Sequence, residues 1–106
     1  MVRHGVPEVR LVYFGDCPNW RIADSRLKEA LIRAGADPDR VVYQQVTTAE
    51  DAEASGFGGS PTILVDGTDP FAHLDDPVGL ACRLYLSAAG SEPAPTVDQL
   101  EAALNL

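Results

Sequence analysis

Two cysteines are the chain's strongest candidates for chemistry, Cys17 and Cys82. Cys17 stands in Tyr13-Phe14-Gly15-Asp16-Cys17-Pro18-Asn19-Trp20. An apolar run from Val9 to Phe14 stops at a glycine, and after the proline comes a long segment with helical periodicity. This pattern predicts a strand, a sharp turn and a helix, with a thiol at the junction. A thiol acts as a nucleophile or metal ligand only as its thiolate. The unpaired N–H groups and the dipole at a helix N-terminus stabilise an anion. With Cys17 at the cap position, the N–H groups of Asn19 and Trp20 are the expected donors. Pro18 suits the first helical position because its missing N–H would have no partner there. The expected outcome is a thiol more acidic than the free value of about 8.5. A carboxylate at Asp16 would oppose that shift. The plainer alternative is a small, half-buried cap residue.

Cys82 has two readings. It is either a buried core cysteine, since free cysteine is among the most buried residue types, or a resolving sulfur or second ligand for Cys17. A strand antiparallel to its predecessor would separate the two sulfurs by most of a strand length. The long loop before it could instead bring Cys82 back, and a bond needs Cα atoms within about 7 Å.

Other chemistries find little support. His4 lies in a polar lead-in, and His73 lies in a loop with Asp69, Asp75 and Asp76 that matches no calcium-loop pattern. Two cysteines with no close second ligand do not make a zinc site, so no metal is expected. Gly56, Gly58 and Gly59 precede a strand and do not join a strand to a helix, so they form no phosphate loop. No Ser-His-Asp set can be assembled, and no cofactor is expected. The formal net charge of −8, with no Lys/Arg cluster, sets nucleic acid and anionic membranes aside as partners. No apolar run reaches the length of a membrane span, and the first residues lack the apolar region of a signal peptide. The cytoplasm is therefore the expected compartment, where cysteines are more often reduced or redox-cycling than structural disulfides.

The elements that position Cys17 follow in order. The 106 residues fit one domain, and a 45% hydrophobic content is enough for a core. After a frayed lead-in over residues 1–8, Val9–Phe14 reads as a strand covered on both faces. Trp20, Ala23, Leu27, Ala30, Leu31 and Ala34 form one apolar helical stripe, stopped by Gly35. Val41–Val46 is a second strand, parallel to the first across a βαβ crossover. Thr48 opens a short helix that ends by Gly56. Thr62–Val65 is a third strand closed by Asp66-Gly67, a strong turn signal. A loop over 68–80 leads to a fourth strand over 81–86, then a linker over 87–95. Thr96 with Gln99 caps a last helix whose apolar face is Val97, Leu100, Ala103 and Leu104.

The order β-α-β-α-β-β-α predicts an α/β layered sheet. Together with Cys17-Pro18-Asn19-Trp20 and Gly59-Ser60-Pro61-Thr62, it resembles the thioredoxin-like superfamily over about residues 8 to 106. The resemblance implies a three-layer fold around a central four-stranded mixed sheet, with Pro61 cis and beside Cys17. It also implies that Ser60, Pro61, Pro18 and Asn19 meet an extended peptide or thiol substrate. The chain looks like small bacterial thioredoxin-family proteins, some of which carry the description alkylmercury lyase. It departs from the Cys-x-x-Cys pattern, because Trp20 takes the place of the second cysteine.

Three functions are expected to compete. The first is monothiol exchange, in which Cys17 attacks a disulfide, a sulfenic acid or a low-molecular-weight thiol adduct, with a small thiol or Cys82 resolving it. The second is soft-metal or organomercurial handling through Cys17 and Cys82, since soft metals select thiolates. The third is a non-catalytic module that binds a partner protein.

Overall fold

Val9–Phe14 (β1) carries apolar side chains on both faces because both faces are covered. The computed structural model describes residues 8–15, 17–55, 59–71, 84–87 and 90–104. Within them β1 is the middle strand of a three-stranded sheet, between Val42–Val46 (β2) and Thr62–Val65 (β3). It runs parallel to β2, with Arg10 opposite Val42 and Phe14 opposite Val46. It runs antiparallel to β3, with Leu11 opposite Ile63. The mixed sheet, the parallel crossover and the third strand therefore stand as expected.

Strand periodicity divides the core in two. Val9, Leu11 and Ile63 pack with Ala23, Leu27, Ala30 and Leu31 of the first helix, Asn19–Arg33 (α1), and with Leu100 and Leu104 of the last, Val97–Leu104 (α3). Val12, Val46 and Ala52 form a second cluster, joined by Phe14 and Leu64. Ala52 belongs to the short helix Ala49–Ser55 (α2), so α2 covers the face opposite α1 and α3. Leu27 and Leu31 are fully buried, and each contributes roughly 1.5–3 kcal/mol of burial free energy.

The helix and turn punctuation acts as its chemistry demands. Gly35, at φ 80°, follows α1 in the left-handed region. Thr96 and Gln99 close a reciprocal box on α3: the Thr96 N–H donates to Gln99 Oε1 at 2.9 Å, and the Gln99 N–H donates to Thr96 Oγ1 at 3.2 Å. Thr48 caps α2 by accepting the Asp51 N–H at 3.1 Å. Asp66 at φ 52° and Gly67 at φ 81° turn the chain after β3, and Val65 and Thr68 exchange backbone hydrogen bonds across that turn.

The end of the sheet departs from expectation. Tyr85–Ser87 (β4) pairs antiparallel with Gly90–Glu92 (β5) in a separate two-stranded ribbon. Among the described residues the central sheet has three strands, not four, and the stretch expected as a linker contains β5. The ribbon is a local pairing, with Ser87 opposite Gly90. Gly90 at φ 115° supplies the backbone freedom such a tight return needs. Local pairing closes a short loop at low entropic cost. The expected start of the fourth strand, the lead-in before Glu8 and most of the 68–80 loop lie outside the described residues, as do Asp16, Cys82, His4 and His73.

Among the described residues β2 ends the sheet, with β1 as its neighbour, and it exposes Val42 and Tyr43. No described helix is long and apolar enough to cross a membrane.

Candidate functional site

Cys17 lies three residues past the end of β1, in a turn held by its own N–H, which donates to the Phe14 carbonyl at 3.0 Å. The residue is 2% exposed. It does not cap α1: Pro18 occupies that position, with φ −70° and ψ −12°, and among the described residues no side chain caps the helix. Proline locks φ near the helical value, and it disfavours helical geometry in the residue before it. The sulfur therefore stands one residue ahead of the cap. The Arg21 N–H turns back to the Pro18 carbonyl at 3.2 Å. Asn19 is the first residue of the helix and Pro18 is exposed.

The sulfur of Cys17 is one half of a disulfide. The expected thiol is therefore oxidised in this structure. Only one other cysteine, Cys82, occurs in the sequence, and it lies outside the described residues. Sγ of Cys17 stands 3.6 Å from the carbonyl oxygen of Ser60. A disulfide sulfur has no proton to share with that oxygen. In the reduced form the carbonyl could accept a thiol S–H, and it would repel a thiolate.

Residues 59–62 are positioned by their own side chains and by two distant elements. The Ser60–Pro61 peptide bond is cis, as the resemblance implies. Ser60, Pro61 and Thr62 are buried. Ser60 Oγ accepts the Phe14 N–H at 3.0 Å, which ties the segment to the end of β1 beside Cys17. Thr62 Oγ1 donates to the Gly59 carbonyl at 2.6 Å. The Tyr85 hydroxyl donates to the Pro61 carbonyl. The carbonyls of Ser60 and Pro61, which the resemblance would offer to an extended substrate, therefore face Cys17 and Tyr85.

Tyr85 is the contributor that sequence reasoning missed, having been read as a strand residue. It is 4% exposed, and its ring meets Phe71 edge to face at 5.6 Å. A buried tyrosine needs a partner for its hydroxyl, and that is the one signal the sequence offered. Beside the turn, Tyr13 stacks on Trp20 at 4.5 Å, with the Arg21 guanidinium 5.1 Å from the Trp20 ring. Trp20 also packs against the core, as expected.

Among the described residues no cluster of three or more His, Cys, Asp or Glu side chains could hold a metal ion. A scan of family models and searches of curated proteins and solved structures find no match to the chain.

Proposed function

We propose that this is a thioredoxin-like redox protein in which Cys17 and Cys82 form a reversible disulfide. The observation that carries the reading is that Cys17, at the strand-to-helix turn, is bonded sulfur to sulfur while its Sγ faces the carbonyl that precedes Pro61. The strand order β2-β1-β3, with β1 parallel to β2 and antiparallel to β3, supports the same family reading. Cys82 precedes Tyr85 by three residues, a stretch that spans at most about 11 Å. Tyr85 is bonded to Pro61, next to the residue that Sγ touches. The expected monothiol mechanism thereby becomes a two-sulfur one.

In the reducing direction a protein thiolate attacks one sulfur of an external disulfide. The substrate's S–S bond breaks, and its other sulfur leaves as a thiolate that takes up a proton. The second protein thiolate then attacks the mixed disulfide and releases the remaining substrate thiol. Two electrons pass from the protein dithiol to the substrate. The test is equilibration with graded ratios of reduced to oxidised glutathione, followed by alkylation and mass measurement. Reversible conversion of one intramolecular Cys17–Cys82 disulfide within that range supports the reading. A disulfide that stays fully oxidised throughout argues against it.

A second reading follows from the burial of Cys17. Sulfur in a residue that is 2% exposed reacts slowly with external thiols. The bond is then a structural staple in a binding module, and it resists the whole glutathione series. Soft-metal or organomercurial handling requires the reduced pair, and mercuric ion raising the melting temperature of the reduced protein but not of Cys17→Ser would favour it.

A further inference from the structure

We infer that Tyr85 is a positioning residue for the redox couple: its hydroxyl bond to the Pro61 carbonyl favours the Cys17 disulfide over the dithiol. The inference rests on the reading that Cys82 is the partner sulfur.

Tyr85 is anchored from several directions. Its hydroxyl donates to Pro61, and its ring packs edge to face on Phe71. Its backbone pairs with Glu92 of β5, and Glu92 forms an ion pair with Arg26 of α1 at 3.0 Å. A connected path therefore runs from α1 through Arg26, Glu92 and Tyr85 to Pro61 and Ser60. It returns to Cys17, two residues before the helix, so the path closes on itself.

The disulfide and the Tyr85 hydrogen bond tie together the same two stretches of chain. One is the Cys17 turn with the Ser60–Pro61 segment that faces it; the other is the stretch leading to β4. Fixing a chain at one point lowers the entropic cost of fixing it at a neighbouring point. The hydroxyl bond thus raises the effective concentration of one sulfur at the other. The coupling is reciprocal, so reduction also loosens Tyr85. A residue that only stabilised the fold would act equally on both redox forms and leave their ratio unchanged.

The test equilibrates wild type and Tyr85→Phe with mixtures of reduced and oxidised dithiothreitol, then alkylates and weighs the products. Dithiothreitol gives up two electrons and two protons and closes to its cyclic disulfide as the protein gains two thiols. Tyr85→Phe keeps the ring and its contact with Phe71. The expected result is a shift of about fivefold toward the dithiol, equivalent to about 20 mV for a two-electron couple. Phe71→Leu keeps the hydroxyl and loosens the ring; it is expected to shift the equilibrium in the same direction, and it decides the question if Tyr85→Phe does not fold. Equilibrium constants within twofold of wild type would overturn the inference while leaving the redox reading intact. Wild-type protein that never loses two hydrogens on oxidation overturns both.

Discussion

Ser60 serves Phe14 with its side chain while its main chain faces the Cys17 sulfur: its hydroxyl accepts the Phe14 N–H at 3.0 Å, and its carbonyl oxygen stands 3.6 Å from Sγ of Cys17. One buried residue therefore joins the end of β1 to the segment opposite Cys17. Removing the hydroxyl leaves a part-buried N–H without its acceptor, at a cost of about 1–3 kcal/mol. Ser60→Ala is expected to lower the urea midpoint accordingly, with the slope unchanged. An unchanged midpoint would mean that water replaces the hydroxyl and that Ser60 does not hold the turn.

Reduction should destabilise the chain. A bond from Cys17 to Cys82 closes most of the sequence into one loop, for which chain-entropy reasoning gives about 4 kcal/mol and measured cases typically 2–4 kcal/mol. Thermal melts with and without a strong reductant are expected to differ by roughly 10–20 °C. Cys17→Ser should melt with the reduced protein. Identical melts for the oxidised and reduced forms would show that the proposed bond adds no stability.

A second polar group lies on the opposite edge, around Asp24. The Tyr43 hydroxyl donates to Asp24 Oδ1 at 2.6 Å, and Lys28 Nζ stands 3.4 Å from Oδ2. The Tyr43 pKa is raised above its ordinary 10.0, first by partial burial and next by the bond to Asp24. The Lys28 pKa is raised above 10.5, first by its hydrogen bond with Tyr43 and next by the charge of Asp24. In both cases the folded chain holds its proton to higher pH than the unfolded chain does. Their contribution is therefore fully present below about pH 10 and lost as pH rises through the folded values. Asp24→Asn is expected to flatten the fall in melting temperature above pH 10, and to bring Tyr43 ionisation, read by ultraviolet absorbance, to lower pH. A slope equal to wild type would exclude Asp24 as the source.

Arg26 fastens α1 to the far end of the chain. Its Nη1 reaches the Ala94 carbonyl at 3.0 Å and the Glu92 carboxylate at 3.0 Å. Losing the side chain strands a part-buried carboxylate and a carbonyl together. Arg26→Met, which keeps the aliphatic stem, is expected to cost about 1–3 kcal/mol by denaturant unfolding. Glu92→Gln, which keeps a hydrogen-bond acceptor, should cost less. Equal costs would point to the charge and not to the fork of contacts.

Much of the fold was legible because local chemistry and tertiary packing agree. The α1 stripe, the Thr96–Gln99 box and the Asp66–Gly67 turn are set within a few residues and appear as the pattern predicts. The cis Ser60–Pro61 bond beside Cys17 was legible only through the family resemblance that the motifs around both residues carry. The cap falls at Pro18, one residue after the expected Cys17, because the exact first residue of a helix depends on the hydrogen bonds of its first turn, which composition does not record. The β4–β5 ribbon was illegible for a different reason. Strand pairing depends on which partner closes the cheaper loop, and a single strand's composition does not record its partner. Tyr85 escaped for the same reason, since its hydrogen bond spans distant parts of the chain.

The position of β2 bears on how molecules of this protein treat one another. A strand at the end of a sheet offers its outer backbone to any strand that approaches; among the described residues β2 holds that place, and it exposes Val42 and Tyr43. At neutral pH the net charge of −8 keeps copies apart. Near the isoelectric point of about 4.4 that repulsion vanishes. Mild acid is therefore expected to drive edge-to-edge association, visible as light scattering before the circular dichroism signal is lost.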